Sequence, residues 1–214
     1  MNQKIIRTTL TILLFITASV YSKVFNLENP RDYFSDRAVA SVEVSEIIAS
    51  SSKNYSIEQR TKTSNCKING SFPDHECTPG AVFENVSTTT ICVTGYTKTV
   101  RNVSSSIKRK VYESYDVLYP QPTGTYECDH LIPLGLGGSN SIANLFPESA
   151  LPNPGFKEKD VVENYLRTEV CEGRIDLKDA QKQIANDWVA VYNALSKDEI
   201  KALKEKYMNW ADKN

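Results

Sequence analysis

Apolar and polar positions follow three different patterns along the 214 residues of this chain, and each pattern predicts a different structure. Leu10 to Val20 is a continuous apolar run near the N-terminus. The middle of the chain has short groups of β-branched and aromatic residues between turn residues, which is typical of strands. In the last third, apolar residues recur every three or four positions, and this spacing predicts helices with one apolar face.

Three helices are predicted in this last third. They run from Phe156 to Val170, from an N-cap at Asp176 to about Leu195, and from Ser196 to about Trp210. Ser196 and Glu199 form a capping-box pattern at the start of the third helix. The apolar side of the first helix, which we expect to face the core, consists of Val161, Val162, Tyr165, Leu166 and Val170.

The region between residues 61 and 120 combines turn signals with β-forming residues. Thr88 to Thr94 and Tyr96 to Val103 predict two strands, with Gly95 as the break between them. Ser104 to Tyr115 has helical spacing and predicts a short helix.

The segment from 126 to 147 predicts a strand, a glycine-rich turn and a second strand. Gly137 to Asn140 forms the connection, and Ile142 to Phe146 leads out of it. The prolines and glycine that follow predict a loop, since a helix does not run through such spacing. The apolar content expected for the first strand comes from Leu131, Ile132, Leu134 and Leu136.

These elements predict an α+β fold with an N-terminal β-rich segment, a hairpin and C-terminal helices. We expect an irregular N-terminal arm over residues 23–60 and one domain over residues 61–214.

The first 22 residues have the layout of a secretory signal peptide. Lys4 and Arg7 precede the apolar run, and Val20 and Ser22 precede a cleavage site after Ser22. The alternative is a membrane anchor, but the run is too short to span a bilayer comfortably. The sequence therefore predicts a secreted or periplasmic protein with no membrane contact after cleavage.

The charge balance bears on the partners of the protein. The chain has 25 Lys and Arg against 26 Asp and Glu, a formal net charge of −1, and loss of the signal peptide would make it slightly more acidic. This balance argues against a protein that coats nucleic acid by charge alone, but not against a nuclease with a local basic patch. One basic stretch without an acidic residue is a candidate patch, with an ordinary solvated surface as the alternative; it contains Lys98, Arg101, Lys108, Arg109 and Lys110.

The candidate chemistry centres on Asp129-His130. An aspartate is a metal-ligand type, and a histidine is a base near neutral pH. If the two strands form a hairpin, Asn144 returns beside His130. Its side-chain oxygen could then accept the Nδ1–H of His130 and leave Nε2 free to take a proton from water. The other histidine, His75, is interpreted as a surface residue.

The helix after the proline-rich loop offers further ligands. Asp160, Glu163 and Asn164 are spaced i, i+3 and i+4, so they share one face. Carboxylate and amide oxygens favour a hard ion such as Mg²⁺ or Mn²⁺ over zinc. A solvated polar face is the alternative. Asn153 is a lower-ranked candidate because it lies between prolines.

Five cysteines fit an exported protein with disulfides, and their odd number leaves at least one unpaired unless the chain dimerises. Cys128 is the expected free thiol, because neighbours on a strand face opposite sides and Asp129 belongs to the candidate site. No spacing matches a structural zinc site. The expected bridges are Cys66–Cys77 and Cys92–Cys171.

The combined pattern resembles the HNH endonucleases of the ββα-metal fold, and in particular a bacterial exported HNH group. The likeness covers roughly residues 76 to 193, with a catalytic core at about 124–170. Its main elements are Asp129-His130-Leu131-Ile132-Pro133-Leu134, Gly137-Gly138, Asn144-Leu145, Lys159-Asp160 and Glu163-Asn164.

The resemblance implies a metal-dependent endonuclease that hydrolyses nucleic-acid phosphodiester bonds. It assigns Asp129 as a metal ligand, His130 as the general base and Asn144 as the middle asparagine of the motif. The final histidine of HNH is absent, which leaves Asp160, Glu163 and Asn164 open as the second ligand of one Mg²⁺ or Mn²⁺ ion.

The expected substrate is DNA with little sequence preference, with RNA as the other possibility. Arg101, Lys108, Arg109, Lys110 and Lys159 are assigned to nucleic-acid binding. The alternative function is a non-catalytic, disulfide-stabilised binding or structural module with a degenerate motif. The missing histidine and the acidic net charge favour that alternative.

Overall fold

The computed structural model describes residues 59–211, with side chains as far as residue 207. The predicted signal peptide and nearly all of the predicted N-terminal arm lie outside the described residues. The chain divides into two units after Ile47, and every described residue belongs to the second.

Two short helices replace the strands predicted on either side of Gly95. Helix α1 covers Thr88–Ile91 and helix α2 covers Tyr96–Val100. The Ser87 side chain accepts a hydrogen bond from the backbone of the first turn of α1, and Gly95 begins α2 with φ +83°. The strand prediction was wrong because β-branched residues favour strands only weakly, and capping and side-chain burial outweigh that preference.

Helix α3 covers Ser105–Ser114 and confirms the helix predicted here. Ser104 is its N-cap and accepts a hydrogen bond from the backbone N–H of Ile107. Val111 and Tyr112 on its inner side are buried.

A two-stranded antiparallel hairpin follows. Strand β1 is Tyr126–His130 and strand β2 is Leu145–Ser149, with His130 paired to Leu145. The first strand ends at His130, earlier than predicted. The apolar residues assigned to it are buried, but they lie in the connecting loop, which contains 3-10 turns at Leu134–Leu136 and Ile142–Asn144.

The three predicted C-terminal helices are confirmed. Helix α4 is Phe156–Cys171, α5 is Leu177–Ala194 and α6 is Lys197–Ala211. The backbone of α5 departs from helical geometry at Asp187, whose carboxylate accepts the backbone N–H of Ala190 at 2.9 Å. The Asp187 side chain thus acts as an internal cap for the second half of α5.

The main core lies between the hairpin loop, α4 and α5, with Ile132, Leu166 and Trp188 fully buried. Disulfides join Cys66 to Cys77 and Cys92 to Cys171, which are the pairs expected from the sequence. Cys128 is free, as expected. The described part of the chain is therefore α+β as predicted, although its N-terminal segment is not β-rich. No helix between residues 59 and 211 is both long and apolar enough to cross a membrane.

Candidate active site

The hairpin directs Asp129 and His130 to different neighbours. They are the last two residues of β1, and adjacent residues of a strand project to opposite sides. The Asp129 carboxylate meets α4, whereas the His130 ring meets the loop that joins the two strands. Cys128 packs in a second apolar cluster with Tyr112 and Leu145, away from the Asp129 carboxylate.

The His130 ring is oriented by Asn140. The Nε2 atom of His130 lies 3.1 Å from Oδ1 of Asn140, and Nδ2 of Asn140 donates to the carbonyl of Val100 at 2.7 Å. The Val100 contact fixes which end of the Asn140 amide faces the ring. Because an amide oxygen only accepts, Nε2 of His130 carries the hydrogen, and Nδ1 carries the lone pair of the neutral ring.

The Nδ1 atom of His130 has no hydrogen-bond partner among the described residues. The only buried side-chain nitrogen or oxygen atoms without a partner in that part of the chain are the two oxygens of Glu148. Nδ1 of His130 has no partner there and is not among these buried atoms. It therefore keeps contact with solvent, although the residue as a whole is only 4% exposed. Burial lowers the pKa of His130, and the neighbouring Asp129 charge only partly opposes this. The ring is thus a neutral base at neutral pH.

Asn144 does not orient His130, so that prediction was wrong. The amide of Asn144 is fully buried and makes all its hydrogen bonds with backbone groups, three in the loop and one at Ala81. It accepts from the backbone of Ile132 at 2.9 Å and of Ala81 at 3.3 Å. It donates to the carbonyls of Ile132 and Ser139, both at 2.9 Å. A buried amide satisfies backbone groups first, because leaving them unpaired is costly.

The loop that Asn144 holds leaves no room for a side chain at one glycine. A Cβ atom at Gly138 would lie 1.7 Å from the carbonyl oxygen of Ile132. The close backbone approach explains the requirement for glycine here. The second glycine of the predicted Gly-Gly turn thus shapes the loop that presents Asn140.

Lys159 lies between the hairpin and the polar side of α4. Its side chain has no exposed surface. Its Nζ atom is 2.7 Å from Oδ2 of Asp129, 2.6 Å from Oε1 of Glu163 and 2.8 Å from the backbone carbonyl of His130. A carboxylate oxygen of Glu148 lies 3.6 Å away. One buried ammonium group therefore faces three carboxyl groups.

The charges in this cluster set the protonation of its members. Burial alone would raise the pKa of Asp129, but the ammonium of Lys159 holds it below its usual range. Burial and the charge of Asp129 raise the pKa of Glu148 well above its usual range, against the pull of Lys159. A neutral Glu148 can donate its proton to Asp129, which explains how its otherwise unpaired carboxyl group is accommodated.

Glu163 and Asp160 lie on α4 at the more exposed edge of this cluster. Burial, opposed by Lys159 and reinforced by the charge of Asp129, raises the pKa of Glu163 to about 7. Desolvation and the charge of Glu163 also raise the pKa of Asp160, but its exposed surface limits this rise.

The structure brings together two of the predicted metal ligands, Asp129 and Glu163. Asp160 lies on the exposed side of α4, and the amide of Asn164 donates to the backbone carbonyl of Asp160 at 2.8 Å. Asn153 is exposed in the loop before α4. Between residues 59 and 207, no group of three His, Cys, Asp or Glu side chains is arranged to hold a metal ion.

Two charged side chains have roles that the sequence did not indicate. Lys159 is buried, and its N–H groups donate to Asp129, Glu163 and the backbone of His130. Its assignment to nucleic-acid binding was therefore wrong. Glu148 was not recognised as a site residue. The available signal was an acid directly after the apolar residues Leu145, Phe146 and Pro147 in strand β2. Asn140 was missed because an asparagine after glycines is typical of a turn.

The predicted basic patch divides among several environments. Arg101 is an exposed residue at the end of α2. Its charge adds to the lowering of the His130 pKa by burial and partly opposes the rise of the Glu163 pKa, which places it near the site. Arg109 stacks on the ring of Tyr119 at 5.7 Å. Other basic residues have different neighbours: Lys108 lies near Glu127 and Cys128, and Lys110 lines a 310 Å³ depression with Arg60 and Glu113.

Comparisons with protein-family models, with curated proteins and with solved structures found no significant match to this chain.

Proposed function

We propose that this protein is an exported, metal-dependent endonuclease that hydrolyses nucleic-acid phosphodiester bonds. The observation that carries this proposal is the state of His130. Nε2 of His130 donates to Oδ1 of Asn140 over 3.1 Å, and Nδ1 is left as an unpaired base. A histidine fixed in one tautomer at the end of a hairpin meets the requirements for a general base.

The arrangement of elements supports placing the protein with the HNH endonucleases. An antiparallel hairpin, β1 and β2, is followed directly by α4, and the polar side of that helix packs against Asp129. This is the strand, strand and helix order that the ββα-metal resemblance implies. The geometry around His130 supports the function more strongly than this order does, since one fold hosts many functions.

In the proposed reaction, Nδ1 of His130 takes a proton from a water molecule as that water attacks phosphorus. The new phosphorus–oxygen bond forms as the bond to the 3′ oxygen breaks, and the leaving oxygen then takes a proton from solvent. The products are a 5′-phosphate and a 3′-hydroxyl. The hydrogen bond to Asn140 keeps the ring in the tautomer that can accept this proton.

The residues that would hold Mg²⁺ or Mn²⁺ are Asp129 and Glu163. One carboxylate oxygen of each residue accepts a hydrogen bond from Lys159, and the other oxygen of each would contact the ion. Two carboxylates suit Mg²⁺, which keeps several waters and is completed by substrate phosphate, so a group of three protein ligands is not required. When bound, the ion supplies charge stabilisation for the phosphate and the leaving oxygen.

Arg101 is the proposed contact for substrate phosphate. It is exposed, and its charge reaches both His130 and Glu163. A guanidinium group binds phosphate without reading sequence, which fits a nuclease with little sequence preference. DNA is the proposed substrate, and RNA is the other nucleic acid to test.

A secreted or periplasmic location is part of the proposal. The disulfides Cys66–Cys77 and Cys92–Cys171 are compatible with an oxidising compartment. The predicted signal peptide would direct the chain there.

One observation favours the alternative, a binding or structural module without catalysis. The ammonium group of Lys159 already bridges Asp129 and Glu163, so the cluster has an internal cation. In a module of this kind the cluster would only tie the hairpin to α4.

Nicking of supercoiled plasmid DNA separates the two functions. The wild-type protein is expected to nick the plasmid with Mg²⁺ or Mn²⁺ and to stop when EDTA is added. His130→Ala is expected to slow cleavage by about 10²-fold or more, the typical contribution of a general base. His75→Ala is the matched control, because His75 is the other histidine and is exposed. Cleavage by His130→Ala at the wild-type rate would reject the assignment, and no cleavage of DNA or RNA by any variant would favour the module.

A further inference from the structure

Lys159 has the contacts of a bound cation. All three of its N–H groups have an oxygen partner at 2.6 to 2.8 Å, on Glu163, Asp129 and the backbone of His130. None of its side chain is exposed, so it is not available to a substrate. Its contacts join the end of β1 to the second turn of α4.

The surroundings of Lys159 contain more negative than positive groups. Asp129 and Glu163 contact it directly, and the fully buried Glu148 lies 3.6 Å from it. The carboxyl group of Glu148 is itself buried, so a negative charge on it would also depend on the nearby ammonium. Without the ammonium, the two carboxylates on the hairpin and the helix would repel each other across a buried space.

We propose that Lys159 is a resident counter-ion and a positioning residue of the site. Its positive charge holds Asp129 and Glu163 together when no divalent ion is bound. The hairpin and α4 therefore keep their arrangement without metal. The inference deepens the proposed function, because it concerns the same two carboxylates that are assigned to Mg²⁺. One oxygen of each remains outside the Lys159 contact.

This role differs from that of a lysine that only packs. A counter-ion can be replaced by another cation or made unnecessary by removing a carboxylate charge, whereas lost packing is restored by neither. Lys159→Met keeps most of the side-chain length and removes the charge. Lys157→Met is the matched control, because Lys157 is exposed two residues earlier in the same helix.

The test measures thermal unfolding of the full mature chain in EDTA and in millimolar Mg²⁺. In EDTA, Lys159→Met is expected to lower Tm by roughly 10 °C, since loss of one partner from a buried ion pair is strongly destabilising. Mg²⁺ is expected to restore at least half of this loss, and so is the added substitution Glu163→Gln. Wild type and Lys157→Met are expected to respond alike to Mg²⁺, with a smaller rise in Tm than Lys159→Met.

An unchanged Tm for Lys159→Met in EDTA would overturn the proposal. A lowered Tm that neither Mg²⁺ nor Glu163→Gln restores would also overturn it, because the loss would then come from packing. If Lys159→Met does not fold, the double variant with Glu163→Gln decides the matter, since folding supports the proposal and failure rejects it. None of these measurements uses a substrate, so they stand apart from the nicking test of His130.

Discussion

The side chains of His130 and Asn140, ten residues apart in the chain, meet at 3.1 Å between Nε2 and Oδ1. Asn140 also donates to the carbonyl of Val100, at the end of α2. The ring of His130 is therefore tied to a helix well before the hairpin in sequence. Because the contact uses Nε2, the basic atom of the ring is Nδ1, and any water that it activates must approach from that side.

Loss of the Asn140 amide is expected to slow cleavage without unfolding the protein. Asn140→Ala leaves the His130 tautomer and ring orientation free, so we expect kcat to fall roughly 10- to 100-fold, part of the typical contribution of a general base. Initial rates of plasmid nicking measure this, and circular dichroism checks the fold. Asn193→Ala is the control, since Asn193 is exposed near the end of α5. Equal rates for the two variants would contradict the role given to Asn140.

The pH dependence of cleavage is expected to follow the neutral form of His130. Burial lowers the pKa of this ring below its usual value of 6.5, so the base is present above that lowered pKa and is lost as the pH falls through it. The acid limb of the rate profile should therefore have its midpoint below 6.5. Asn140→Asp puts a negative charge beside Nε2, which stabilises the imidazolium and should move the midpoint to higher pH.

The same shift can be followed without substrate, by NMR titration of the His130 ring in the His75→Ala protein. The ring titrates alone there, since the chain has two histidines. A His130 pKa at or above 6.5 in the otherwise native protein would show that the ring is not held in the neutral form by burial.

Neutralising Glu148 is expected to stabilise the protein at high pH. Its folded-state pKa is raised by burial above the usual value of 4.5, so its protonation favours folding at low pH and this contribution is lost as the pH rises. Glu148→Gln removes the need for that proton and can still donate a hydrogen bond. We expect a gain of about 1–3 kcal/mol near pH 8, the usual penalty of an unpaired buried polar group, and little gain near pH 4.

Thermal unfolding at both pH values measures the effect of Glu148→Gln, at roughly 2–4 °C in Tm for each kcal/mol. Glu84→Gln is the matched control, because Glu84 is exposed. A lower Tm for Glu148→Gln near pH 8 would mean that the carboxylate charge of Glu148 is needed in the folded state.

The two disulfides are expected to contribute unequally to stability. Cys92–Cys171 closes a separation of 79 residues and joins the end of α1 to the last residue of α4, whereas Cys66–Cys77 closes 11 residues. Chain entropy predicts about 4.5 kcal/mol for the long bridge and about 3 kcal/mol for the short one. Urea unfolding of the two paired Cys→Ala variants tests the order. A larger loss for the short bridge would show that local contacts, and not chain entropy, decide the difference.

The elements with strong periodic patterns were predictable, and the short ones were not. Helices α4, α5 and α6 have apolar faces and recognisable caps at Asp176 and Ser196, so their positions followed from local chemistry. Helices α1 and α2 have four and five residues, too few for a period to stand out against the β-forming preference of threonine and valine.

Within the site, the residues that carry chemistry were recognisable, but some of their partners were not. Asp129 and His130 stand out because an acid and one of two histidines are adjacent before a glycine turn. Asn144 and Asn140 have the same side chain and lie four residues apart in one loop. Only the backbone groups around each of them decide that Asn144 holds the loop and Asn140 holds the ring.

The sequence by itself determined the α+β composition, the C-terminal helices and the position of the Asp-His pair, because each depends on local pattern or on residue type. The cysteine pairs agree with expectation, but which cysteines meet depends on the fold. The tertiary structure decided which asparagine meets His130, which ring nitrogen is left basic, and that Lys159 lies among Asp129, Glu148 and Glu163. The reason is physical. A long charged side chain is expected at the surface, and it is buried here only because three carboxyl groups from two strands and a helix converge on it, which local sequence does not reveal.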